Sequence, residues 1–213
     1  MVDRAELAAA AVVVAPRLLG AVIQSRVGGD AVSIRITEVE AYEGSDDPAS
    51  HAFRGPTPRT EVMFGEAGHL YVYFTYGMHW CANVVCGVDG AASAVLLRAG
   101  EVVEGVAVAS ARRPAARAPR DLARGPARLA SCLGLVGGDS GADLCDSTAT
   151  AAVARRSPVT LLSLGEEPVF LTGPRVGISV AVDRPWRFWL PDDPTVSAFR
   201  PGKARAAQRH RAD

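Results

Sequence analysis

Residues 32–42 read Val-Ser-Ile-Arg-Ile-Thr-Glu-Val-Glu-Ala-Tyr, and few other stretches restrict the chain as tightly. Val32, Ile34 and Ile36 alternate with Ser33, Arg35 and Thr37, the period of a strand with one buried face. Such a strand needs partners in a sheet and a second layer over its apolar side. Continued past Ile36, the alternation places Glu38, Glu40 and Tyr42 on the extension of the apolar stripe. A buried carboxylate is costly unless paired. Two readings stay open. Either the strand has left the core there, or a bulge reverses its register; or the carboxylates form a pocket wall, where general bases are found.

The rest of the chain supports an α+β fold: a single mixed domain over residues 1–200, with a curved, mainly antiparallel sheet or open barrel flanked by helices. The length of 213 residues suits one domain. Strands are predicted at 21–23 and 32–42, joined through Gly28-Gly29-Asp30, and at 70–75 and 78–86 around Tyr76-Gly77. Further strands are expected at 94–98, 159–164, 169–171, 175–182 and 186–190. Helices are expected at 3–14, with Asp3 and Glu6 forming a capping box, at 101–110 and at 126–133 behind Pro126. Residues 16–20 read as a turn region and 111–119 as an exposed loop. Residues 201–213 read as a basic, mobile tail.

Charge and cysteine usage narrow the function classes. The formal net charge is zero, so no global field attracts a polyanion. Lys203 is the only lysine; every other basic side chain apart from histidine is arginine. That bias reads equally as base composition of the genome or as a preference for the planar fork that binds phosphates. Cys81, Cys86, Cys132 and Cys145 form no C-x-x-C pair and read as reduced thiols of a cytosolic protein. The apolar run 7–15 is too short for a bilayer, which needs about 20 residues. Its acidic start is unlike a signal peptide. His51, His69 and His79 have no compact metal-ligand spacing, so no metal is expected.

Residues 42–80 hold 8 of the 13 aromatic side chains and 3 of the 4 histidines. Core packing alone would spread them more evenly. A cluster of tyrosine faces, arginine and a few polar groups suits a base that has left its stack, with stacking contributing about 1–3 kcal/mol. Tyr76 at a hairpin tip would point outward, as a duplex wedge does and as many turn residues do.

The segments 37–42 (Thr-Glu-Val-Glu-Ala-Tyr) and 64–79 (Phe-Gly-Glu-Ala-Gly-His-Leu-Tyr-Val-Tyr-Phe-Thr-Tyr-Gly-Met-His) closely resemble the alkyladenine (3-methyladenine) DNA glycosylases. The blocks 81–85, 96–99, 125–129 and 174–178 continue the likeness, which runs from about Leu18 to Leu190. The resemblance implies a monofunctional glycosylase on one mixed α/β domain. Glu40 corresponds to the general base that activates water, and Arg98 to the group that holds that water and the carboxylate. Tyr42, His51 and Tyr73 correspond to the pocket around the extruded base, with the His51 backbone reading its edge. Asn83 corresponds to the residue that crowds the 2-amino group of guanine, and Tyr76 to the wedge. The loop Thr57-Pro58-Arg59 also resembles family sequence. No counterpart of the basic N-terminal extension of mammalian members is expected, so their partner contacts are not carried over.

These assignments fit the chemistry. Breaking an N-glycosidic bond passes through an oxocarbenium-like state, which a carboxylate stabilises while it activates water. Purines alkylated at N3 or N7 are cationic, leave readily and stack on tyrosine with a cation–π contribution. Neutral lesions such as hypoxanthine need a proton donor that the sequence does not name. A lyase step needs an amine for a Schiff base. The lone Lys203 lies in the expected tail, so an intact abasic site is the expected product. Arg112, Arg113, Arg117, Arg120, Arg124 and Arg128 form the densest basic stretch. They read equally as a solvated loop or as phosphate contacts beside the helix start at Gly125. Thr57, Arg59, Arg124, Gly125, Arg128 and Arg175 are the candidate contacts to the DNA backbone. The expected partner is double-stranded DNA with damaged purines, met by a monomer in the bacterial cytosol, associated with the nucleoid, with no cofactor and no membrane. The alternatives are a protein that binds damaged bases without cutting, which an intact Glu40 and Arg98 argue against, and an RNA-binding domain, for which no motif speaks.

Overall fold

The computed structural model describes residues 1–145, 157–164, 166 and 168–202. Of the expected basic tail, residues 203–213, Lys203 included, lie outside these. The chain forms a curled antiparallel half-barrel with helices on one side: the expected α+β class. The central path runs β3 (Leu70–Thr75), β4 (His79–Cys86), β5 (Ser93–Glu104), β2 (Val32–Glu43), β1 (Val22–Ser25) and β7 (Val159–Ser163). Beside it, β6 (Ala123–Arg124) pairs with β5, and β9 (Arg187–Trp189) pairs with β2 and with β8 (Leu171–Gly173). All pairings among these strands are antiparallel.

One sheet face carries the aliphatic core. Helix α1 (Ala11–Leu18) buries Ala11, Val14, Ala15 and Leu18, the i, i+3, i+4, i+7 stripe of an amphipathic helix. Helix α3 (Pro126–Leu133) buries Leu129, Ala130, Cys132 and Leu133. Both pack with Val32, Ile34, Ile36, Val39, Leu70, Val72, Val84, Val95 and Leu97 in one cluster. A smaller cluster of Ala52, Met63, Tyr71, Val85, Ala92 and Ala94 lies apart from it, with Phe64 and Tyr73 packed on it.

The bulge settles the question that the alternation left open. Ile36 pairs with Gly100 and Glu38 with Ala99, so Thr37 is an extra residue of β2. Glu38 then pairs with Ala99 and Val39 with Leu97, so β5 passes over Arg98 in turn. The core face of β2 thus changes from Val32, Ile34 and Ile36 to Val39 and Ala41. Glu40 and Tyr42 turn to the opposite side, and Thr37 is buried with its hydroxyl 2.7 Å from that of Thr195. The uninterrupted even-numbered stripe was therefore wrong, and the pocket wall arises because the register reverses.

Other expectations shift for local reasons. The helix expected at 3–14 is a capped 3-10 turn at Arg4–Glu6 followed by α1. Pro16, expected in a turn, lies inside α1, where burial of its stripe outweighs the lost N–H. Residues 101–104 extend β5 instead of starting a helix. Gly100 lets the strands close, since a Cβ there would meet Arg35 O at 2.5 Å, and Arg35 and Glu101 pair at 2.8 Å across them. Helix α2 (Val106–Arg112) follows Gly105, whose φ is +72°. The strand expected at 169–171 lies at Leu171–Gly173. Residues 175–182 form no strand: the Arg175 side chain bonds to the Ala41 carbonyl, the Val176 amide to Glu40, and Gly177 is left-handed.

Candidate active site

The face opposite the aliphatic core holds a cleft of about 680 Å³. Four strands build it. β2 contributes Glu40 and Tyr42, β3 Tyr71 and Tyr73, β4 Cys81 and Asn83, and β5 Leu96 and Arg98. The pairings Tyr71↔Asn83, Asn83↔Leu96 and Leu96↔Glu40 run as one row across the sheet. Alternation along each strand therefore sends these side chains to one side. The turn after β2 brings His51, and the segments at 124–128, 176–178 and 197–200 close the walls.

Glu40 has no accessible side-chain surface. Its Oε1 accepts from the Val176 amide at 2.7 Å and lies 3.3 Å from Arg98 Nη1, while Oε2 accepts from the Tyr42 hydroxyl at 2.8 Å. A carboxylate has about four lone-pair positions, so these three contacts leave an acceptor position unfilled. Burial and the neighbouring Glu40 push the Tyr42 hydroxyl well above its ordinary pKa, so it serves as a donor.

Behind Glu40 sits a second carboxylate whose role the sequence left open. Glu38 Oε1 accepts from Arg98 Nε at 2.8 Å, Arg187 Nε at 2.7 Å and Ser197 Oγ at 2.9 Å. Its Oε2 accepts from the Ser197 amide at 2.7 Å. Burial would raise this carboxyl, but the Arg98 and Arg187 charges and the Ser197 bond outweigh it and hold it below the usual range. For Arg98, burial opposes the charge, and Glu40 and Glu38 raise its pKa above the ordinary value. Glu38 thus aims Arg98 at Glu40 from below.

The aromatic wall combines one stacked pair with edge-on contacts. Tyr71 and Tyr73 stack with centroids 5.5 Å apart, and His51 meets Tyr73 edge-on at 4.6 Å. Burial, then the charge of Arg59, lower His51 to about 4, so its imidazole is neutral at physiological pH. Its Nδ1 lies 3.2 Å from the Tyr71 hydroxyl. Burial raises the Tyr73 hydroxyl. Asn83 donates from its amide to Tyr71 O at 3.1 Å, which fixes its plane at the cleft wall.

The structure gathers Glu40, Tyr42, His51, Tyr73, Asn83, Arg98, Tyr76, Arg124, Gly125 and Arg128 around this one cavity. Tyr76 stands at the β3–β4 turn, where Met78 N bonds to Thr75 O and both Tyr76 and Gly77 have positive φ; it is 83% exposed. Thr57 is outside the cavity lining and bonds to Thr60. Arg59 stacks 5.3 Å over Tyr73.

Arg175 requires a correction. Its side chain is fully buried and pairs with Asp47, so it has no surface to offer a phosphate. Arg112 bonds to the carbonyls of Val27 and Cys132, and Arg113 to that of Leu122; both hold loops together. Arg124 and Arg128 reach the cleft, together with Arg200, which the sequence reading missed. Ser197 and Arg187 were missed as well. No spacing marks them, because they come from an irregular segment and a three-residue strand.

The profile of the methylpurine-DNA glycosylases matches residues 5–194. A Leifsonia xyli protein is 53% identical over 195 residues, covering 88% of this chain and 87% of its own. One from Rhodococcus jostii is 54% identical over 179 residues, covering 82% and 76%. One from Cutibacterium acnes is 50% identical over 200 residues, covering 92% and 98%. Each is provisionally named a 3-methyladenine DNA glycosylase. The chain belongs to the methylpurine-DNA glycosylase family.

Proposed function

We propose that the protein is a monofunctional DNA glycosylase. It extrudes alkylated or deaminated purines (3-methyladenine, 7-methylguanine, ethenoadenine or hypoxanthine) from duplex DNA and hydrolyses the N-glycosidic bond, which starts base excision repair. The observation that carries this reading is Glu40, gripped by Val176, Tyr42 and Arg98 at the floor of a cleft walled by tyrosines. The extruded base stacks between Tyr42, His51 and Tyr73, and Tyr76 fills the gap left in the duplex. Asn83 narrows the slot against the 2-amino group of undamaged guanine. While anionic, Glu40 stabilises the oxocarbenium-like sugar as the C1'–N bond breaks and the base leaves with the electron pair; it then takes the proton from the water, held with the help of Arg98, whose oxygen bonds to C1'. That Tyr76, Arg128 and Arg200 line the cleft and are exposed, with Arg124 half-buried beside them, supports a duplex docking there.

The test is single-turnover excision from a duplex carrying one 3-methyladenine or one ethenoadenine, scored as abasic sites. Wild-type protein is expected to leave an intact abasic strand, with no adduct trapped by borohydride. Glu40→Gln is expected to lose about 10²–10⁴-fold in rate while still binding the lesion. Excision by folded Glu40→Gln at the wild-type rate would sink the mechanism.

A further inference from the structure

Arg175 and Asp47 form a fully buried ion pair that takes no part in the proposed reaction. Arg175 Nη2 donates to Asp47 Oδ1 at 2.8 Å, and Nη1 donates to Asp47 Oδ2 and, at 3.0 Å, to Ala41 O. Among the described residues its buried Nε has no partner. The guanidinium lies 4.6 Å over the centroid of Tyr42 and 5.2 Å from that of Trp186. Tyr42 lines the cleft and Arg175 does not. The cation therefore covers the face of Tyr42 that is turned away from the cavity.

A buried ion pair seldom adds stability over an apolar replacement, so its presence behind a pocket wall needs another account. Arginine keeps its charge in any protein environment. A permanent cation on the rear of a ring draws its π electrons back, and the front face then offers less to a second cation. The same charge also repels a cationic base directly, and Asp47 offsets that repulsion.

We infer that the Asp47–Arg175 pair is a specificity-determining element: it sets how strongly the Tyr42 wall favours a cationic purine over a neutral one. The inference rests on the base-excision reading above. With both charges present, the wall accepts either class of lesion. Loss of Asp47 leaves Arg175 unbalanced and turns the wall against cationic bases. Loss of Arg175 does the opposite. A pair that only held the fold together would slow both classes alike.

The experiment measures single-turnover excision on two duplexes that differ only in one base, 7-methylguanine or hypoxanthine. The ratio of the two rates is taken within each variant, so the folded fraction cancels. Asp47→Asn is expected to lower the cationic-to-neutral ratio about tenfold, the size of a unit-charge effect at an effective dielectric of about 20. Arg175→Gln is expected to raise it. The double variant, which has no buried charge to compensate, is expected to lie above wild type and at or below Arg175→Gln. A ratio in Asp47→Asn equal to or above wild type overturns the inference. If Asp47→Asn does not fold, a double-variant ratio at or below wild type overturns it. A wild-type protein that excises neither base defeats the excision reading itself, and the inference with it; wild-type excision with unmoved ratios defeats the inference alone.

Discussion

Along β2, residues 32–36 send Val32, Ile34 and Ile36 into the aliphatic core, whereas residues 38–42 send Val39 and Ala41 there and turn Glu40 and Tyr42 to the cleft. Both halves are buried and both are paired to β5. They differ in what burial asks of them. The first half needs only volume to be filled. The second half needs each carboxylate oxygen matched by a donor; one of those donors is Tyr42 of β2 itself, and the others come from β5, β9 and two irregular segments far along the chain. One extra residue, Thr37, separates the two regimes. A single strand can therefore serve a core and a site, provided that a bulge lets each half choose its own face.

The largest break in this comparison is expected from Glu38→Gln. It leaves Arg98 and Arg187 buried with half their compensation, so we predict a loss of about 3–5 kcal/mol in chemical denaturation. Excision by the folded fraction should also fall about tenfold or more, because Arg98 loses the contact that aims it. Excision at the wild-type rate would show that Glu38 holds the fold and not the site. Ile34→Ala in the other half is expected to cost about 2–5 kcal/mol through a cavity. The excision rate of the folded protein should stay within about twofold; a larger drop would mean that the two halves are coupled across the bulge.

The smallest effect is in the acid range. Glu38 is held below its ordinary pKa of 4.5, so the unfolded chain binds its proton first as pH falls. The stability it contributes is therefore present above about 4.5 and lost as pH falls through the lowered folded value. Ile34→Ala should shift the stability–pH curve downward without changing its shape. Glu38→Gln should flatten it below pH 4.5, and an unflattened curve would place the acid sensitivity elsewhere.

Much of this molecule was legible in the chain. Strand periodicity located β2, β3 and β4 within a residue or two, and Pro126 marked the start of α3. The crowding of tyrosine and histidine in residues 42–80 marked the cleft wall. Alternation alone failed at Thr37, because a bulge is a matter of register between two strands and leaves no composition signal. The partners of Glu38 and Asp47 were hidden for a related reason. Ser197, Arg187 and Arg175 meet them by tertiary placement, and an arginine in an irregular segment looks the same in sequence whether it faces solvent or a buried carboxylate. The mistaken role for Arg175 follows directly from that.

The bonds that complete the site also set an order on its assembly. Glu38 meets Ser197 across 159 residues, Glu40 meets Val176 across 136, and Asp47 meets Arg175 across 128. While the chain is being synthesised, β2 through β5 emerge with their carboxylates unanswered by these partners. The loops that must close to answer them are among the longest the chain can form, and their entropy has to be met before the contacts are made. Until residues 175–197 are made, Glu38 lacks Ser197 and Arg187, Glu40 lacks Val176 and Asp47 lacks Arg175. The bonds that complete the site therefore wait on residues 175–197, made long after the strand that carries the carboxylates.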